Sequence, residues 1–461
     1  MDHQNVIGCE IETPASSSSP ASCTRRVFSL ALAIGTGIAF GIVPALDAAR
    51  SDLNASLREG GRGASGGRGG MRTRRTLVVT QISLAVMLLI GAGLLLRSFA
   101  ELTRVRLGFD PSHVLTAQLR AAGDVYDSAA AVNRLFDGVL DGIRGTPGIL
   151  TVGGATLLPT QGRVGTSARV EGEPVDEANL PDLGYVAVRG DYFQAMKIPL
   201  KAGRNYTVSD AVGAPKVAIL NETGARLLFP HGDAIGHRIR IGPNPNSEPM
   251  QIIGIVGDVR DERLDIPTGA MLYANHRQEA WDQTLNIVVR TSGAPETAIT
   301  ALRRSLRAAD PSLALRDIQT MEQVVGSSLA SRRFALGLIW CFAAIALLLA
   351  AVGIHGVLAY TVTSRTREFG VRLALGATTG SVLRLVLRQG ITWSLAGLAV
   401  GIAGAIAGGR LLAGSLYRVS VIDGATYGAV AAGLLLIVVA ACLIPGARAT
   451  RVDPAASMRA E

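Results

Sequence analysis

The sequence predicts a membrane protein: an α-helical transmembrane bundle of about five helices with one inserted extracytoplasmic α+β domain. Five apolar runs are each long enough to cross a bilayer core of ~30 Å, which takes roughly 20 helical residues at 1.5 Å rise each. A long stretch between the second and third runs has the composition of a soluble domain, and arginines crowd the short connections between the others. Of the 461 residues only 18% are charged, below the usual ~25% of soluble chains, and mean hydropathy is +0.33.

The net charge of +9 raises the question of nucleic acid. No basic stripe interleaved with aromatics and no recognised DNA-binding motif is present, so no nucleic-acid partner is expected; the lipid bilayer is. The four cysteines, Cys9, Cys23, Cys341 and Cys442, lie far apart and suggest neither a disulfide framework nor a metal site. No Walker lysine motif, H-E-x-x-H or G-x-S-x-G occurs, and no catalytic residue or cofactor is expected.

Residues 1–26, with "ASSSSPAS", read as a disordered segment. Asp2, Glu10 and Glu12 stand where a signal peptide needs positive charge. The first apolar run, Val27 to Leu46, gives a transmembrane helix at 27–47, and "EGGRGASGGRGGMRTRR" places a Gly/Arg-rich linker at 48–76. Leu77 to Leu96 gives a second helix at 77–97.

Residues 98–331 then read as the inserted domain. "HVLTAQL", "HRIRIG", "MQIIGIVGDVR" and "LNIVVRT" carry the β-branched enrichment of strands. "SAAAVNRLFDGVLDGIRGTPGI" and "PETAITALRRSLRAADP" are amphipathic helices, and "VAILNETGARLLFP" is a strand running into a helix that Asn221 caps. Asp258 and Asp261 in "GDVRDE" lack the glycine and closing glutamate of a calcium loop and read as a turn. The C-terminal region at 332–461 holds helices at about 334–362, 389–413 and 424–446, from the runs Phe334 to Val362, Ile391 to about Ala413 and Gly424 to Gly446, with a loop at 363–388.

Short-loop arginines orient the bundle. The linker carries Arg50, Arg58, Arg62, Arg68, Arg72, Arg74 and Arg75; the loop carries Arg365, Arg367, Arg372, Arg384 and Arg388; the tail carries Arg448, Arg451 and Arg459. These segments are therefore expected in the cytoplasm with the C-terminus, and the large domain outside. Arg97, Arg104, Arg106, Arg332 and Arg333 fall on the wrong side, and are discounted because long translocated domains obey the rule weakly.

The segment "VPALDAARSDLNASLREG" at Val43 aligns with the chain's ending "IPGARATRVDPAASMRAE": Pro44 falls on Pro445, Arg50 on Arg451, Asp52 on Asp453 and Arg58 on Arg459. Residues 27–60 thus read as the end of an earlier permease unit whose other helices are missing. Together with "RTRRTLVVTQISLAVMLLIGAGLLLRSF", "DYFQAMKIPLKAGR", "IIGIVGDVR" and "RTREFGVRLALGAT", this resembles the MacB/FtsX-like permeases of ABC transporters. Among these it is most like the duplicated orphan permeases (ADOP group), relative to which it is N-terminally truncated.

The resemblance implies a MacB-like periplasmic core domain, an FtsX-like permease domain and a place in a bacterial inner membrane. It further implies an ABC ATPase subunit in trans, a second permease chain as homo- or heterodimer, and a periplasmic adaptor or envelope partner. ATP hydrolysis by that separate subunit would move the outer domain for efflux or envelope export. A non-transporting regulator of a cell-envelope enzyme and a truncated inactive remnant are the alternatives.

Two sets of residues stand out. In the loop, Phe369 and Leu373 can face lipid while Arg365, Arg367, Glu368 and Arg372 face water, as an interfacial helix requires. The resemblance makes this stretch, with Gly376 and Ala377, the element on which the ATPase docks. In "GLAVGIAGAIAGG", Gly397, Gly401, Gly404 and Gly408 share one helix face and permit close packing, within the bundle or against a second chain. His355 lies within an apolar run and reads as a neutral side chain hydrogen-bonded to a neighbouring helix.

Overall fold

The computed structural model describes residues 68–450 except 175–179, 243, 245, 280, 281, 365–371, 373, 374, 376, 377, 413 and 415. The segment 1–26, the helix expected at 27–47, most of the linker and the tail from residue 451 lie outside the described residues. Met1–Thr80 and Gln81–Glu461 are separate units, and the α+β domain belongs to the second.

Helix α1 (Arg68–Thr103) runs 36 residues, roughly 54 Å against a hydrocarbon core of ~30 Å. It begins inside the stretch expected to be linker and continues beyond residue 97. No proline interrupts it, and its glycines past the first turn are isolated among good helix formers.

The chain then builds β1 (Val114–Arg120), α2 (Ala129–Ile143) and β2 (Ile149–Ala155). There follow β3 (Val164–Val170), β4 (Asp182–Gly190), α3 (Tyr192–Ala195), β5 (Leu200–Gly203) and β6 (Val217–Asn221). Next come α4 (Glu222–Leu228), β7 (Arg238–Ile241), β8 (Met250–Val256) and β9 (Met271–Asn275). The domain closes with β10 (Thr284–Thr291), α5 (Ala298–Ala309), β11 (Leu315–Thr320) and α6 (Met321–Ser328).

β1, β2, β10 and β11 lie side by side in the order β11-β1-β10-β2, all antiparallel. With α2 and α5 between the paired strands, this is the split β-α-β arrangement. Period-two alternation sorts its faces. Leu115, Leu119, Ile287 and Val289 pack under α2 and α5 with Phe136 and Leu302, while Val114 and Val288 join Tyr192, Phe193, Met321 and Val324 in a second core on the other face.

Strands β3 to β9 are inserted between β2 and β10 and continue the same sheet through β4. Because β9 pairs in parallel with β4 over Gly184 to Val188, the path β4-β3-β7-β8-β6-β9 closes on itself, which removes the exposed edges an open sheet would leave.

The Asn221 cap expected at the start of α4 also ties two segments together. Its Oδ1 accepts from Gly224 N at 2.7 Å and Met271 N at 2.8 Å, and its Nδ2 donates to Gly269 O at 2.8 Å. The side chain is fully buried. Asn221→Ala strands those groups away from water and should cost about 2–4 kcal/mol, read as a lowered denaturation midpoint of the full chain in detergent.

The remaining helices are α7 (Ala330–Ser364), α8 (Thr379–Leu412) and α9 (Gly424–Thr450). With α1 they are the four helices, among the described residues, long and apolar enough to cross a membrane. The start of α8 corrects the expected loop at 363–388: Thr379 to Arg388 is helix, because Leu383, Leu385, Val386 and Leu387 give Arg384 and Arg388 a continuous helical frame. α9 packs against both α7 and α8, and most of α7 is exposed, with Phe334, Phe342, Leu348 and Val352 turned outward, as a helix bordered by lipid requires.

Candidate functional site

Of the residues assigned to ATPase docking, Arg365, Arg367, Glu368, Phe369, Gly376 and Ala377 lie outside the described residues; Arg372 is helical and exposed. The glycine stripe divides. Ser83 Oγ donates to Gly397 O at 3.0 Å. A Cβ on Gly401 would fall 2.6 Å from Val86 Cβ and 2.9 Å from Ser83 O, and one on Gly404 would run into Met87. These three positions face α1. At Gly408 an added Cβ meets nothing within 4 Å, so this glycine makes no close approach to the described residues. His355 Nδ1 lies 3.3 Å from Ala441 O on α9.

What the structure brings together most densely is a junction where α1 and α7 leave the bundle and enter the α+β domain. Leu102 of α1, Leu329 just before α7 and Leu264 of the β8–β9 loop form a buried cluster bordered by Phe99, Val105, Val325 and Tyr417. Around it stand three of the five arginines that broke the charge rule. Arg332 pairs with Asp265, Arg333 sits over the Phe99 ring at 5.9 Å, and Arg97 pairs with Asp423, which also caps α9 by accepting from Thr426 N at 2.9 Å. Ser98 Oγ accepts from Tyr417 N at 2.8 Å. Composition gave the signal, five basic residues on the side where few belong, and discounting it hid the junction.

The β8–β9 loop, residues 257–270, is the hub. Arg260 N donates to Leu107 O at 3.0 Å, and Thr160 N to Asp261 O at 2.7 Å. Gly108, at φ +83°, passes so close that a Cβ there would sit 2.0 Å from Asp258 O, which only glycine tolerates. The Asp258 carboxylate accepts from Thr223 N at 2.9 Å and Thr223 Oγ1 at 2.7 Å, so it holds the first turn of α4.

Two aspartates of this loop titrate in opposite senses. Burial works against ionising Asp265, but hydrogen bonds from Arg263 and the charge of Arg332 outweigh it and hold the carboxyl below its usual range. Its contribution is present at neutral pH and disappears only as pH falls through that depressed value. Asp261 has the opposite surroundings: burial first, and the neighbouring Asp258 charge second, push it up to about 7. Structurally the junction is a joint between bundle and domain, with an apolar cluster as its pivot, ion pairs as clamps and a hub loop that touches both emerging helices.

Comparison with known proteins gives two family matches, to the MacB-like periplasmic core domain over residues 28–309 and to the FtsX-like permease C-terminal over residues 340–454. A pyoverdine export ATP-binding/permease protein, PvdT, of Pseudomonas syringae pv. tomato is 29% identical over 298 residues, 61% of this chain and 44% of that protein. An uncharacterized ABC transporter permease, YknZ, of Bacillus subtilis is 24% identical over 350 residues, 72% of this chain and 81% of that one. The chain thus spans under half the length of the export protein it matches. Among solved structures, the periplasmic region of MacB from Actinobacillus actinomycetemcomitans aligns at TM-score 0.33 and 14% identity, covering 49% of this chain and 97% of that one.

Proposed function

Since the chain belongs to the MacB/FtsX-like permeases of ABC transporters, we propose that it converts ATP hydrolysis by a separate ATPase subunit into movement of its extracytoplasmic domain, and so drives export across the cell envelope. The observation that carries this reading is the continuity of α7 with the joint. A helix of 35 residues, roughly 52 Å long, ends one residue from Leu329 in the pivot and is clamped to the hub loop by Arg332 and Asp265. A rigid helix clamped at one end and reaching the docking loop at the other can carry a displacement across the bilayer.

Energy enters, on this reading, at Arg365 to Ala377, in the cytoplasm with the C-terminus. Glu368 supplies the one negative charge among Arg365, Arg367 and Arg372, so Glu368→Arg should repel a partner selected for the mixed pattern. With the ATPase co-reconstituted, that variant is expected to lose at least about tenfold in export, a coupling loss of about 1.4 kcal/mol, while the ATPase retains its basal turnover. Wild-type export in the variant would remove docking from this segment. A second permease chain completes the machine, the exposed face of α7 and the open side of Gly408 being available to it, and a periplasmic adaptor or envelope partner would receive the outer domain's motion.

A further inference from the structure

At the hub loop, several buried polar groups have no hydrogen-bond partner among the described residues. Asp261 Oδ2, Thr160 Oγ1 and Tyr273 Oη are each buried without a hydrogen bond, where such atoms are normally satisfied. They belong to one neighbourhood: Thr160 N is bonded to Asp261 O, and the Asp261 charge is felt at both Tyr273 and Tyr192. Thr160 is held at φ +71°, an outlier for a β-branched residue that only its surroundings can maintain.

Among the described residues, each arginine lining the cavity beside Asp261 already has another partner. Asp261 lines a cavity of about 260 Å³ together with Arg163, Asp182, Arg260, Glu262 and Arg263. Arg163 is engaged by Asp182, with Glu262 at 3.7 Å; Arg263 lies 2.8 Å from Asp265; Arg260 donates to Ile266 O. Asp258 adds a second negative charge from the same loop, and the tyrosines on α3 and β9 add only neutral rings. An ionised Asp261 therefore sits buried, with its Oδ2 unbonded and a like charge beside it, in the segment that clasps α1's exit to the domain.

We propose that Asp261 is a proton-operated latch on the joint: with its carboxyl neutral the hub loop stays seated against Leu107 and the Thr160 turn, and ionisation drives the loop outward and frees the domain to move on its stem. The sign follows from burial. A carboxyl whose pKa is raised in the seated state favours that state fully at pH below about 4, and the preference declines as pH rises from 3.8 toward about 7. The latch is a property of the loop and does not depend on the motor proposed above.

Hydrogen exchange on the full chain in lipid nanodiscs tests it without any ATPase, with rates corrected for the intrinsic effect of pH. The amides of Arg260, Thr160 and Gly162, all bonded within the clasp, should open up to about tenfold more per pH unit through the mildly acidic range and level off above about pH 7. In Asp261→Asn, which keeps the shape and removes the proton, the slope should vanish. Thr160→Gly, which relieves the strained turn, should lower opening at every pH and keep the slope. A wild-type profile flat in pH, or the same slope in Asp261→Asn, would overturn the latch.

Discussion

Asp265→Ala should abolish export while leaving the ATPase running. The carboxylate is the shared acceptor of Arg263, at 2.8 Å, and Arg332, and its side chain is 20% exposed. Removing it discards the pair with Arg332, worth about 1.5–3 kcal/mol, and the exposed Arg263 contact, worth about 0–1 kcal/mol, and leaves two guanidinium groups facing each other across the joint. The domain itself should fold, since its three cores do not use Asp265. The expected readout is a loss of at least about a hundredfold in export at unchanged hydrolysis, about 2.7 kcal/mol of coupling. Arg332→Gln should show a fall nearly as large, because Arg263 lies on the same loop as Asp265 and does not bridge the joint. A double cycle of Asp265→Asn with Arg332→Gln separates the pair from each residue alone: non-additive losses locate the coupling in the contact, and additive ones would deny it.

The second large effect is expected in the membrane. Gly401→Leu would drive a side chain into Val86 and the Ser83 carbonyl, and backbone cannot give way as a flexible side chain can. In lipid, packing of this kind is the main cohesive force between helices, so α8 should separate from α1 at a cost of about 2–4 kcal/mol. Gly404→Leu meets Met87, whose thioether can turn aside, and should cost less. Gly408→Leu, with open space around it, should leave stability unchanged. Thermal unfolding of the three variants in detergent gives the order; equal losses at Gly401 and Gly408 would mean that α8 packs through another face.

Those three glycines show what the sequence can and cannot disclose. Their spacing marked one face of a helix, which is geometry local to the chain; that only the first part of the stripe meets α1 depends on how the bundle tilts, which no local pattern encodes. The same division runs through the domain. β1, β7, β8 and β10 announced themselves by β-branched runs, and α2 and α5 by their apolar faces. β4, "DLGYVAVRG", is buried almost throughout and shows no alternation, because both its faces are covered, Val186 and Val188 in one core and Leu183, Tyr185 and Ala187 in another. Closure of the ring by β9 is a long-range pairing that leaves no trace in spacing.

The joint was half legible. Arg97, Arg332 and Arg333 were visible as exceptions to a charge rule, and the pairing of Arg332 with Asp265 spans 67 residues, beyond any periodicity. Asp261 read as a turn residue, which it is by position; its burial and its lack of a partner exist only once the hub loop is laid against the Thr160 turn. Asn221 was recognised as a cap because capping is a local act, whereas its bond to Met271 was not.

Transmission of force through the joint is tested most directly by distance. Spin labels at Glu296, exposed on the domain, and at Arg384, exposed near the start of α8, report how the domain stands relative to the bundle in nanodiscs with the ATPase bound. ATP trapping should shift the distance distribution in the otherwise wild-type chain and leave it unshifted when Asp265→Ala is added. The same shift in both chains would contradict a drive that passes through Arg332 and Asp265.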